Sequence, residues 1–278
     1  MKKKIVIGLA ALGTAVALVP LFAAFEAHVI NVTAKIENAL SVSATELDFG
    51  TVFPQEELDQ QFDVQLSNSF LAEDRVDDVQ YFIRQKPKCG WTLNGGTNLL
   101  GLPTATGHVV VGTPTELPQY ATQHDGYYVQ CPDPGSPLRP AGAVYSELPS
   151  LCPYLSKHET TEDLDQSGRD NDGSLNAFHQ PFTIDPNGGI DWNDVTGYLA
   201  KSVNDEADIW NIDLKVPCFG GYCAQDWEKY VDDINPGTNP ALYTQPISNE
   251  HKVFGCDLWV EVNGVSRFGD VEPPSLPE

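Results

Sequence analysis

Acidic side chains crowd one short stretch, ETTEDLDQSGRDNDGSLNAF. Asp163, Asp165 and Ser167 followed by Gly168 repeat the D-x-D-x-S-G opening of an oxygen-lined calcium loop, and Asp170, Asn171 and Asp172 add oxygens before Gly173. Calcium takes about six to eight hard oxygen ligands on a turn tight enough to converge them. Counting twelve positions from Asp163 reaches Ser174, where an EF-hand would place a bidentate Glu. A sparser second group, DPNGGIDWND, offers Asp185, Asn187, Asp191 and Asp194. Asp, Asn and Gly are also the ordinary residues of turns, so a solvated acidic turn is the competing reading of both clusters.

Catalytic patterns are weaker. His158 to Glu162, HETTE, has half of the HExxH zinc helix, but Glu162 stands where the second His is required, and one His at that spacing cannot hold zinc. No G-x-S-x-G, P-loop or dinucleotide fingerprint is present,. The expectation is a protein that is not an enzyme, with calcium as the candidate cofactor and no organic one. Cys89, Cys131, Cys152, Cys218, Cys223 and Cys256 form an even set. In an exported chain this reads as three disulfides, with zinc as the alternative. Proximity suggests Cys218 with Cys223 across CFGGYC, Cys131 with Cys152, and Cys89 with Cys256, though spacing alone does not fix the pairing.

The elements that position these residues read as β. Gly 23, Pro 21 and a single Met go with many turns and few helices. The stretch HVINVTAKIENALSVS, residues 28–43, places Ile30, Val32, Ala34, Ile36, Leu40 and Val42 on even positions and polar residues between them. That is the period of a half-buried strand, and it would run about 50 Å, well beyond the usual strand length. Its sheet is either its own or that of another copy. Further alternation marks Phe62, Val64 and Leu66; Val79, Tyr81 and Ile83; Ile212, Leu214 and Val216; and Phe254 to Val262. Residues from about 100 to 205 turn to Gly, Pro, Asn and Asp, predicting a large loop-rich insertion. One short helix is expected over Asp194 to Val203. Residues 44–267 read as a single sandwich domain, and 268–278 as a disordered acidic, Pro-rich tail.

MKKKIVIGLAALGTAVALVPLFAAF, residues 1–25, joins a basic start to an apolar run, as a signal peptide or a membrane anchor does. Either sends the rest of the chain outside the cell, touching membrane only through the leader. The formal charge of the chain is −23, which excludes the basic clusters that nucleic-acid binding rests on.

The leader ending in AAF, the alternating strand and the unit LDFGTVFPQEELDQQFDVQLSNS together resemble the N-terminal part of the TasA and camelysin family of secreted bacterial surface and biofilm-matrix proteins. The likeness covers about the first seventy residues. It departs at Gln55, where the family often carries Gly after the proline, and does not extend to the cysteines or the middle of the chain. The resemblance implies a jelly-roll antiparallel β-sandwich. In fibre-forming members it also implies assembly by donor-strand complementation, in which the N-terminal strand of one subunit completes the sheet of the next. The expected function is therefore an exported subunit of an extracellular filament or biofilm matrix, its partners other copies of itself. A calcium-stabilised cell-surface adhesin is the alternative, and a secreted metallo-hydrolase a more distant one, lacking any zinc-ligand motif.

Overall fold

The computed structural model describes residues 34–135, 139–160 and 173–267. Leu40–Val42 forms β1. Glu57–Leu66 forms β2, which buries Phe62, Val64 and Leu66 and turns Asp59, Gln61 and Gln65 outward, as a period of two requires. A single helical turn, α1 (Asn68–Leu71), follows; the Ser67 hydroxyl accepts the Phe70 amide and caps it,. Val76–Lys86 is β3 and Lys88–Leu93 is β4. Short strands come next: β5 (Asn98–Leu99), β6 (Ala105–Thr106), β7 (His108–Val111), β8 (Ala121–Gln123), β9 (Tyr127–Gln130) and β10 (Val144–Glu147). After β11 (His158–Glu159), β12 (Phe182–Ile184) and β13 (Ile190–Trp192) come β14 (Val195–Ala200) and β15 (Ala207–Lys215). Helix α2 (Trp227–Ile234) precedes the last strand, β16 (Asp257–Arg267).

The architecture is an all-β sandwich whose ladders are antiparallel. One main sheet runs β1-β2-β15-β11 and the other β14-β3-β16. Their inward faces share one core: Phe62, Val64, Trp210, Ile212 and Leu214 meet Val79, Tyr81, Ile83, Val195 and Leu199. Full burial of a Val, Leu or Ile contributes about 1.5–3 kcal/mol, so Val64, Val79, Ile83, Leu199 and Ile212 together supply on the order of 10 kcal/mol. That exceeds the several-kcal/mol cost of the carboxylate enclosed with them. Asp208 is 1% exposed, and it accepts the Tyr81 hydroxyl, whose oxygen in turn accepts Trp210 Nε1 at 2.7 Å. The chain of hydrogen bonds ties one sheet to the other. Gly197 lies opposite Tyr81 in the β14–β3 ladder, and a Cβ there would clash with the Tyr81 phenol at its Cζ.

Two expectations are corrected. Asp194 to Val203 is no helix: Val195–Ala200 is β14, and only Lys201–Val203 turns as a 3-10 helix. Its inward residues Val195, Gly197 and Leu199 pair against β3, and that ladder overrides the helical spacing of Val195, Leu199 and Val203. The middle of the chain is loop-rich, as expected, but short strands run through it. It builds the sheets β10-β4-β5, with β6 beside β4, β7-β9-β8 and β12-β13, while β11 and β14 return to the main sheets. Most of these strands are too short for alternation to register. They enclose a second, small core of Cys89, Trp91, Cys131, Ala143 and Tyr145. Finally, all six cysteines are paired, Cys218 with Cys223 as expected, but Cys89 joins Cys131 and Cys152 joins Cys256. Cys131, just after β9, meets Cys89 of β4 before the chain reaches Cys152, so nearness along the sequence misleads. Three disulfides fit an oxidising, extracellular-type environment. Among the described residues no helix is long and apolar enough to cross a membrane.

Candidate functional site

Of the alternating stretch over residues 28–43, Ile30 and Val32 lie outside the described residues. Ala34 is exposed and Ile36 is 93% exposed, and neither is in a strand. The expected long strand is thus reduced, among the described residues, to β1. A strand needs a neighbour to accept its hydrogen bonds, and β1 has one: Leu40, Ser41 and Val42 pair with Leu66, Gln65 and Val64 of β2. Leu40 packs against the main core, whereas Val42 stays 38% exposed.

Pairing by β1 covers only the last part of β2. Beyond the Ser43 amide, which reaches Asp63 O at 3.0 Å, residues 44–53 run as an irregular strap with no strand assigned. Gln60 Nε2 donates to Asp48 O at 2.5 Å, and Leu47, Phe49 and Val52 lean on the core. The strap is fixed at its far end where the Gln55 amide donates to Val216 O at 3.0 Å.

Across from the strap lies β16. It closes its sheet, so its outer edge pairs with no strand among the described residues. From Asp257 to Val262 the register against β3 is continuous, and the shifts come only beyond Val262. Bulges are a common defence of strand edges, and here they guard only the second half. Between strap and edge opens a groove of about 460 Å³, lined by Val42, Leu47 and Phe49 on one side, Leu258 and Val260 on the other, and Leu151 and Leu155 between. Lys88 and Asp257, paired at 3.0 Å, mark its polar border. An unpaired backbone ladder beside a groove of mixed polar and apolar lining is the geometry that accepts an added strand.

The metal candidates fare differently. Asp163, Asp165, Ser167, Asp170, Asn171 and Asp172 lie outside the described residues. Asp185 and Asn187 form the tip of the β12–β13 hairpin, where Asp185 Oδ1 accepts the Asn187 amide at 2.5 Å. Asp191 sits along β13, facing Thr183, and Asp194 is drawn away to Arg84 at 2.7 Å. These side chains do not converge. Among the described residues no group of three His, Cys, Asp or Glu is placed to hold a metal ion. His158 lies on a strand, not a helix, with Nε2 3.8 Å from Asp213.

Sequence reasoning missed a buried polar group at the centre of the fold. Lys157, 0% exposed, donates to Ile83 O at 3.1 Å, and burial pulls its pKa down to about 7. His179 and Gln85 meet nearby at 2.5 Å. Nothing in the local spacing marks these as interior, because the strands that enclose them come from distant parts of the chain. Comparison with family models, curated proteins and solved structures finds no match to this chain.

Proposed function

We infer that the protein is an exported subunit of an extracellular filament or matrix, assembling when the alternating segment before β1 is donated to a second copy. The observation that carries this reading is Ile36: a large β-branched side chain, 93% exposed, in a run whose alternation suits half-burial in a sheet. The groove beside the regular half of β16 supports it from the acceptor side, since added strands gain backbone hydrogen bonds and side-chain pockets together. Burial of Ile30, Val32 and Ile36 would contribute on the order of 5 kcal/mol gross, with association entropy opposing it.

Ile36→Asp tests the proposal. The residue is exposed in the monomer, so the variant should melt cooperatively within about 0.5 kcal/mol of wild type, yet form no filaments by electron microscopy under conditions where wild type polymerises. Normal filaments from the variant would refute the donated-strand reading, and so would an unfolded monomer.

A further inference from the structure

We propose that the insertion carries a binding pocket for a neutral sugar ring, between the β8–β9 turn, the end of β10 and β12. The pocket has a volume of about 370 Å³, within the range of sites that enclose small ligands. It is separate from the groove beside β16, and the proposal stands independently of filament assembly.

Its walls are fixed. His124 stacks on Tyr127 with ring centroids 4.7 Å apart and planes 8° from parallel. Tyr127 meets Phe182 edge-on at 5.2 Å, and Phe182 leans on Trp192 at 5.3 Å. The strands beneath are held by the small core around Trp91 and Tyr145 and by the Cys89–Cys131 disulfide. None of this hairpin layer joins the main core, so the sandwich does not need it for its own packing.

The chemistry suits hydroxyls on an apolar ring. Glu147, with 9% of its side chain exposed, lines the pocket and engages His124 Nε2 through one oxygen at 2.8 Å. A carboxylate has further lone pairs for ligand hydroxyls. Burial first, and then the Glu147 charge, hold the Tyr127 phenol above its ordinary range, so the hydroxyl keeps its proton and can donate. Pro153, Pro181 and Phe182 supply C–H surface on which the apolar face of a pyranose can rest. Asp125 also lines the pocket and would favour a cation, while one face of Tyr127 is taken by His124 and Glu147 already engages that ring, so the test sets a cation beside the sugars.

The test uses the exported protein intact, probed by ligand-observed NMR with glucose, galactose, mannose and N-acetylglucosamine and their disaccharides. At least one should bind in the millimolar range with little dependence on salt. Tyr127→Phe keeps the ring and removes one hydrogen bond, and should weaken binding about fivefold or more; Glu147→Gln should weaken it likewise, with both variants melting as cooperatively as wild type. Absence of binding by every sugar would overturn the proposal, as would unchanged affinity in both variants. Binding of butylammonium, lost in salt, with no sugar bound would overturn it in favour of a cation site.

Discussion

The three disulfides differ in how much chain they close, and this sets a ranking that can be measured. Cys152–Cys256 spans 104 residues, Cys89–Cys131 spans 42 and Cys218–Cys223 spans 5. On the loop-entropy relation they restrict the unfolded chain by about 4.8, 3.9 and 2 kcal/mol respectively. Removal by paired alanine substitution also deletes packed sulfur, which would blur a comparison between unlike sites. Two of the pairs are alike, however: Cys152 and Cys218 are each 1% exposed, and their partners Cys256 and Cys223 are both half-buried. The packing loss should largely cancel between them. Urea denaturation followed by tryptophan fluorescence should therefore find Cys152→Ala/Cys256→Ala less stable than Cys218→Ala/Cys223→Ala by about 2.7 kcal/mol. If the short-loop variant were equally or more destabilised, closure entropy would not govern the contribution of these bonds, and the reasoning would fail.

Burial holds Lys157 near 7, well under its ordinary 10.5, so between those values the unfolded chain binds the extra proton. Stability should rise with pH through that window and fall as pH drops to about 7,; Lys157→Met should flatten this slope in denaturation curves, and an unchanged slope would exclude Lys157 as its source. Gly197→Ala should cost about 3 kcal/mol, because the Tyr81 ring it would strike is held by Asp208 and Trp210; calorimetry showing a wild-type melting temperature would contradict this. On the proposed filament role, growth should quicken with sodium chloride, since copies of formal charge −23 repel one another over a Debye length of about 30 Å at 0.01 M and 8 Å at 0.15 M. Light scattering that slows with added salt would count against charge repulsion as the barrier.

The long main strands were legible because each buries one face. Phe62, Val64 and Leu66, or Ile212 and Leu214, alternate for long enough to declare a sheet. The loop-rich insertion was legible from its Gly, Pro, Asn and Asp, but its short strands were not, because strands such as Ala105–Thr106 or Phe182–Ile184 are shorter than two periods of any pattern. Its fixed points are Trp91, Tyr145 and the Cys89–Cys131 bond, which join residues far apart in the chain. The Val195–Leu199–Val203 spacing suited a helix and a strand equally over its first two members, and tertiary pairing with β3 decided between them. The groove beside β16 was invisible for another reason: a strand's own sequence does not say whether it lies at an edge. Exposure of Trp259, Val262 and Val265, each between 41% and 46%, is a property of the sheet order.

The three-residue pairing of β1 also determines how the chain would respond to being pulled. A load applied at Asn38 meets first the Ser67 hydroxyl on Asn38 O at 2.6 Å, the Ser67 amide on Ala39 O at 2.8 Å and the short β1–β2 ladder. Once those yield, the strap has few ties of its own until Gln55 is anchored on Val216. Release of residues 43–55 frees a contour of about 40 Å, less the distance the strap already spans along β2, while β2 and β15 stay paired. Tension is thus met by a slack segment that lets out before the load-bearing strands are reached, and that can re-seat on β2 when the force is withdrawn.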